Sequence, residues 1–375
     1  MFGHSLAREM EEWHKLHNGN IHSPGWKKFM SAFKAGMDVK SDELLSIHSN
    51  SGRFGMSKAG GCTRSAGLKY LGVDGEPLDG STRVTFFLGH ICEVIILSTL
   101  ELLGYPHSHA QAAVTIDPYM RSYSDGIIDL DGKNTLVSAK SAGYKKSGKE
   151  RRGGNFQFVR RGFPELPFEG VRKSQPGWWA QLQAEMYGYR LAGADMEQGL
   201  VVVMSKDIIK AMADDPYLGP QGNGSLTFYA ELIPYDHEFA TRELAPTWIA
   251  QWEAVQSGKP GRAMWLSNAV NEYRPLKTAS TGYNNNRDVT GTFNPCDYCD
   301  VVEACKRELA GKPRLFVGTS SPQIVTNPTL AQIKAEEPSL ADLLEESVKA
   351  AKALPQRVRP PLSRPLIGPR SKVKT

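Results

Sequence analysis

The stretch TLVSAKSAG, Thr135–Gly143, decides how the rest of the chain reads. Its β-branched start and short length predict a β-strand that carries Lys140 to its far end. Just upstream, Asp131-Gly132 is a tight-turn pair, and the run 124–130 before it predicts a partner strand. That partner bears Asp125 and Asp129, four apart and so on one face of an extended chain. Ser138 and Lys140, two apart, share a face of the next strand. A carboxylate and an ammonium group therefore converge without any long-range assumption.

Working outward, residues 4–17 and 26–36 predict helices separated by the Pro24-Gly25 break. A helix starts after Cys62 and ends near Gly72, and a long one covers 86–104. A further strand is expected at 111–116. The segment 141–175 reads as a glycine-rich basic loop, followed by a helix from Pro176 to Gly193. GLVVVMS and LTFYAELIPY read as buried strands, 238–256 as a helix, and 328–353 as an amphipathic helix. This order predicts an α/β fold with a mixed central sheet. The 375 residues fit one large domain with additions. The N-terminus lacks a signal-like apolar core. The longest apolar run, FFLGHICEVIILSTLELLGY, carries His90, Glu93 and Glu101 and is read as too short to span a bilayer. A cytoplasmic protein with no membrane partner is expected.

Phosphodiester hydrolysis needs an activated water and a stabilised leaving oxygen, which hard divalent cations on oxygen ligands supply. A nearby lysine orients the water and offsets negative charge. Two more segments extend the Asp125–Lys140 pair. LGHICE sets His90 and Glu93 one helical turn apart, and AQLQAEMYGY puts Gln183 and Tyr187 on one helical face.

In the order GHICE, YSDG, SAK, QAEMY, these segments resemble the PD-(D/E)XK nuclease superfamily, specifically RecB-like exonucleases. AQLQAEMYGY is also similar to the corresponding helix of the phage lambda exonuclease type. The resemblance implies a restriction-endonuclease-like core, a mixed sheet flanked by helices with helical N- and C-terminal additions. It implies Mg²⁺ or Mn²⁺ held by Asp125, with His90 and Glu93 as ligands or their supports and the Ala139 carbonyl as a backbone ligand. Lys140 would be the catalytic lysine, and Gln183 would position water or phosphate with Tyr187 beside it. Two residues depart from the pattern: Ser138 replaces the acid of Glu-x-Lys, and Ser122 stands where many members have glycine. Serine is a poor Mg²⁺ ligand. Some members with Ser-x-Lys relocate the acid, and here Asp129 is the first candidate and Glu93 the second. Glu185 ranks below both because, two residues from Gln183, it points to another side of its helix. The competing expectation is a nuclease-derived DNA-binding or assembly protein that has lost catalysis.

Cys296, Cys299 and Cys305 lie in NPCDYCDVVEACKR, with Cys62 far upstream and Cys92 read as a small core residue. In a cytosolic chain such spacing suggests thiolate ligation, of zinc or of a [4Fe–4S] cluster. The three-plus-one spacing is similar to the iron–sulfur staple of AddB-type and CRISPR-associated Cas-four-type nucleases, which implies a structural [4Fe–4S] cluster. Ser57, Cys62 and Arg64 match that family's opening motif, and Ser57 and Arg64 are counted with the DNA-contacting residues. Lys145, Lys146, Arg151, Arg152, Arg160 and Arg161 follow the strand of Lys140 and predict a path for DNA ends or single strands. No Gly-x-x-x-x-Gly-Lys-Ser/Thr segment occurs, so a helicase or recombinase would be a separate partner. The expected organisation is a helical extension over 1–54, a nuclease core over 55–310 closed by the cysteines, a linker and amphipathic helix over 311–354, and a basic Pro-rich tail over 355–375.

Overall fold

A computed structural model of the chain describes residues 2–18, 22–45, 53–73, 80–152, 155–162, 166–206, 227–267, 272–276 and 299–311. All of these belong to one compact unit, Met1–Thr326. The expected amphipathic helix at 328–353, the basic tail and Cys296 lie outside the described residues.

The central sheet grows from the hairpin that the Asp-Gly pair foretells. Strands β5 (Gly126–Leu130) and β6 (Lys133–Ala142) pair antiparallel, from Leu130 opposite Lys133 to Gly126 opposite Val137. Asp131 and Gly132 both take positive φ, as a two-residue hairpin turn demands. Strand β2 (His107–Ser108) borders β5. On the other side β9 (Gln198–Ser205) runs parallel to β6, and β10 (Phe228–Pro234) returns antiparallel to β9. The order is β10-β9-β6-β5-β2, a mixed sheet as expected.

Helices cover both faces. Helix α1 (Phe2–Asn18) and α4 (Gly80–Leu102) bury Leu6, Met10, Ile96 and Leu100 against Val137, Ala139, Leu200 and Val202. Between them in the chain, α2 (Pro24–Leu45) packs on α4 and α3 (Thr63–Tyr70) lies further along. Helix α6 (Pro176–Leu191) takes the opposite face, making the crossover that parallel pairing of β6 and β9 requires. It lies so close that a Cβ on Gly199 would meet Leu182 at 2.7 Å.

Three expectations are corrected. The chain reverses after Ile116 into an unexpected strand, β4 (Met120–Tyr123), which pairs with β3 (Ala113–Ile116) in a small separate sheet with β1 (Phe54–Gly55). The basic loop after Lys140 is a hairpin of β7 (Tyr144–Arg152) and β8 (Asn155–Gly162), followed by α5 (Leu166–Ser174). Strand β7, YKKSGKERR, is mostly charged, and only the short NFQF start of β8 alternates apolar with polar residues, so the amphipathic signal is weak. The apolar run in α4 is long enough to cross a bilayer by length and composition, over Val84–Leu102. Its distal half is instead a core helix, with Val94, Ile96 and Leu100 buried under the sheet.

Candidate active site

Strand β5 stops at Gly126, while β6 continues to Ala142. Past Val137, therefore, β6 has no β5 partner. Asp125 fills the next position: its Oδ2 accepts the Ala139 backbone N–H at 2.7 Å. In a strand the N–H and C=O of one residue point to the same side, so the Ala139 carbonyl points toward the same opening. The carboxylate thus sits at a fork between strands, reachable from the helices on both faces.

From one face, α4 presents Glu93. Its carboxylate is bonded to Lys40 Nζ of α2 at 2.9 Å and lies 3.7 Å from His90 Nδ1. Gln111 Nε2 donates to it at 3.4 Å. Burial pushes Glu93 up, but the contacts with His90 and Lys40 outweigh burial and hold it below its ordinary value. From the other face, α6 presents Gln181 and Glu185, one turn apart. Lys140 Nζ donates to Gln181 Oε1 at 3.2 Å, and Gln181 Nε2 donates to Glu185 Oε1 at 2.8 Å. Ser122 of β4 donates to the same Glu185 oxygen at 2.7 Å. Glu185 is buried, and burial raises its pKa despite Lys140, Gln181 and Ser122.

These groups act on one another through Asp125. Burial first, then the charge of Glu93, raises Asp125, with Glu185 adding and Lys140 and the Ala139 N–H opposing; the result is about 7. Three carboxylates thus bear on one opening, with the Lys140 ammonium group acting on Asp125 and that of Lys40 on Glu93. Among the described residues, no three His, Cys, Asp or Glu side chains stand close enough to form a ready metal cage. The donor types suit a hard cation all the same: carboxylate and carbonyl oxygens, with mutual repulsion that a cation relieves.

The sequence-predicted residues divide. Asp125, Lys140, Glu93, His90 and the Ala139 backbone come together. Asp129 does not: at the turn end of β5, about 13 Å of extended chain from Asp125, its Oδ1 accepts Gly132 N–H and caps the hairpin. Gln183 is fully buried and bridges α6 to the end of β10. Its Nε2 donates to Pro234 O at 3.0 Å and its Oε1 accepts from Asp236 N at 2.7 Å, so neither end is offered to a substrate. Tyr187 shares that face and neighbours Tyr119 and Tyr235. Ser138 is buried, and its Oγ has no hydrogen-bond partner. Sequence reasoning took Ser122 only as a departure from the pattern, left Lys40 without a role, passed over Gln181 and ranked Glu185 last. The signal for the last two was the spacing Gln181, Glu185, Tyr189, every four residues, with Tyr189 OH reaching Ser124 Oγ at 2.8 Å.

Away from this site, Cys62 caps α3. The Val302–Leu309 helix packs on α3 through Leu68, Val73, Val301 and Ala304, with Cys299 and Cys305 at the edge of that cluster. Cys299 Sγ lies 3.7 Å from Ser65 Oγ, and Arg64 Nε donates to Cys305 Sγ at 3.3 Å. Two thiols of the triplet therefore gather beside the helix that Cys62 begins. Arg64, expected among the DNA-contacting residues, is engaged within the protein: its guanidinium also bonds Gly261 O and Glu308, tying three segments together. Ser57 is exposed on the short Met56–Lys58 turn. The side chains of Lys145, Lys146, Arg151, Arg152, Arg160 and Arg161 lie outside the described residues, although their backbone forms the β7–β8 hairpin. Cys92 is a buried core residue whose thiol burial pushes up.

No protein-family model matches the chain, and no curated protein matches it.

Proposed function

We propose that this chain is a divalent-cation-dependent DNA exonuclease with a restriction-endonuclease-like core, in which Glu185 supplies the acid that Ser138 lacks. The observation that carries the reading is the convergence on Asp125, at the fork of β5 and β6, of Lys140, Glu185 and Glu93. Asp125, Glu185 and the Ala139 carbonyl would hold Mg²⁺ or Mn²⁺, with Glu93 and His90 as further ligands or supports. The cation, when bound, supplies charge for activating water and stabilising the leaving oxygen. Gln181 fixes the Lys140 ammonium group beside Glu185, where lysine can orient the attacking water. Lys40 and His90 keep Glu93 ionised, so that it would present negative charge to a cation.

The two departures from the superfamily pattern then explain one another. Ser138 stands on the face of β6 that carries Lys140, and Ser122 anchors the carboxylate that would fill the role. In the same reading Cys62, Cys299 and Cys305, with Cys296 three residues before Cys299, hold a [4Fe–4S] cluster. It would tie a helix upstream of the sheet to one downstream and add directly to folding free energy. The β7–β8 hairpin would guide the strand into the site, with any duplex opening left to a partner helicase or recombinase.

Digestion of end-labelled linear DNA in Mg²⁺ or Mn²⁺ tests this. Cation-dependent release of nucleotides, lost in Asp125→Ala, is the expected result. DNA binding without cleavage, or cleavage indifferent to Asp125→Ala, overturns it.

A further inference from the structure

Helix α4 changes character along its length. Its distal half is core, but Val84, Phe86, Phe87 and Leu88 are all exposed, the two phenylalanines at 56% and 48%. With about 100° between successive residues, these four side chains ring the helix rather than marking one face. A helix apolar all round is ordinarily buried. Here such a turn stands clear among the described residues, and its position is specific. The next residue, Gly89, lies against Ser141, which follows Lys140; a Cβ there would be 3.5 Å from Ser141 Oγ. His90 of the Glu93 pair comes next. Lys206 Nζ donates to the Thr85 carbonyl at 3.2 Å, bringing an ammonium group to the same turn.

From this juxtaposition we infer that Phe86 and Phe87 offer two exposed rings, on adjoining sides of the turn, for stacking unpaired bases of the strand whose backbone enters the site, with Lys206 taking an adjacent phosphate. The inference rests on the nuclease reading above and names how that site grips its substrate. Flat aromatic rings beside a cation fit a nucleic acid strand, which offers a planar π-face and a phosphate at each step. A bilayer does not suit the same turn, because the helix continues directly into the protein core. A second copy of this chain would not call for an ammonium group there.

The test uses the full chain and a single-stranded oligonucleotide carrying 2-aminopurine, with Mg²⁺ replaced by Ca²⁺. Binding to the wild type should change the fluorescence of the base analogue at one position near the bound end. The double variant Phe86→Ala/Phe87→Ala should bind about tenfold or more weakly, since loss of stacking carries such factors. An abasic nucleotide at the responsive position should weaken the wild type by a similar factor and the double variant by little more. Both side chains are exposed, so the melting temperature of the variant should match the wild type. Binding within twofold of wild type, or an abasic penalty of equal size in both proteins, overturns the stacking role. So does an effect of the variant confined to self-association in sedimentation or to vesicle binding. If the wild type digests DNA while the variant binds normally, the stacking role alone fails. If the wild type neither binds nor digests DNA, the nuclease reading fails with it.

Discussion

Moving the acid back is the sharpest test of the site. In the superfamily pattern the second carboxylate sits two residues before the lysine, the position of Ser138. One step beyond the last paired residues, Gly126 and Val137, Ser138 stands opposite Asp125, on the same face of β6 as Lys140. Glu185 approaches that face from α6. Glu185→Ala removes a ligand and leaves Ser122 Oγ and Gln181 Nε2 without their shared acceptor. Loss of one preorganised electrostatic partner at such a centre costs about 10³-fold in kcat, on the order of 4 kcal/mol. Adding Ser138→Glu to Glu185→Ala returns a carboxylate to the opening while roughly conserving volume. It does not restore partners to Ser122 and Gln181, two lost hydrogen bonds worth about 1 kcal/mol each. The double variant should therefore recover to within about tenfold to thirtyfold of wild type. Ser138→Glu alone crowds a fourth carboxylate onto Asp125, Glu93 and Glu185, and should lower the melting temperature in EDTA. End-labelled DNA digestion in Mn²⁺, with circular dichroism to confirm folding, reads all three proteins. The reasoning is refuted if Glu185→Ala stays within tenfold of wild type, or if the double variant folds normally but recovers nothing.

Other outcomes follow from the same geometry. Gln183→Ala takes one partner from the half-buried Asp236 N–H and one from the exposed Pro234 carbonyl and should cost about 1–3 kcal/mol of stability, while the folded fraction keeps its kcat; a kcat loss without a change in melting temperature would return Gln183 to the chemistry. Mg²⁺ or Mn²⁺ at a hundredfold excess over its Kd should stabilise the wild type by about 2.7 kcal/mol in thermal unfolding, and not Asp125→Asn. Burial raises Tyr189 from 10.0 to about 12, so its stabilising effect is complete below pH 10 and lost as pH rises through 12. Alkaline unfolding should be shallower over that window in Tyr189→Phe, by about 2.7 kcal/mol in total; an unchanged slope would contradict the burial. Anaerobically purified protein should contain iron, and Cys62→Ser or Cys305→Ser should lower both iron content and melting temperature; zinc in its place would remove the cluster.

What the sequence made legible was local. An Asp-Gly turn between two strand-like runs predicts a hairpin from neighbours alone, and Asp125, Ala139 and Lys140 follow from it. His90 and Glu93 were one helical turn apart by count. Contacts that cross the fold were not legible. Lys40 reaches Glu93 from 53 residues away, and nothing around it marks a buried lysine. Strand β7 is mostly charged, so alternation announces the β7–β8 hairpin only through the short NFQF start of β8. Asp129 was misplaced because sharing a face was taken for proximity: four residues along a strand put the two carboxylates at opposite ends of β5.

The reading of α6 is the most informative. AQLQAEMYGY contains two overlapping pairs at four-residue spacing, Gln181–Glu185 and Gln183–Tyr187. An amphipathic helix would have resolved them, since the polar pair on the apolar face would stand out. Helix α6 is buried nearly all round, with Trp179, Leu182, Gln183, Glu185, Met186 and Tyr189 all inaccessible, because the sheet covers one side and the end of β10 with β3 the others. A helix without a solvent face has no polarity gradient to orient it. The deciding information lay instead in the two serines that looked like defects. A buried serine hydroxyl with no partner at 138 and a serine at 122 aimed at a buried carboxylate are each unfavourable or idle on their own. Ser122 anchors Glu185, the α6 carboxylate that in the proposed site stands in for the acid absent at Ser138.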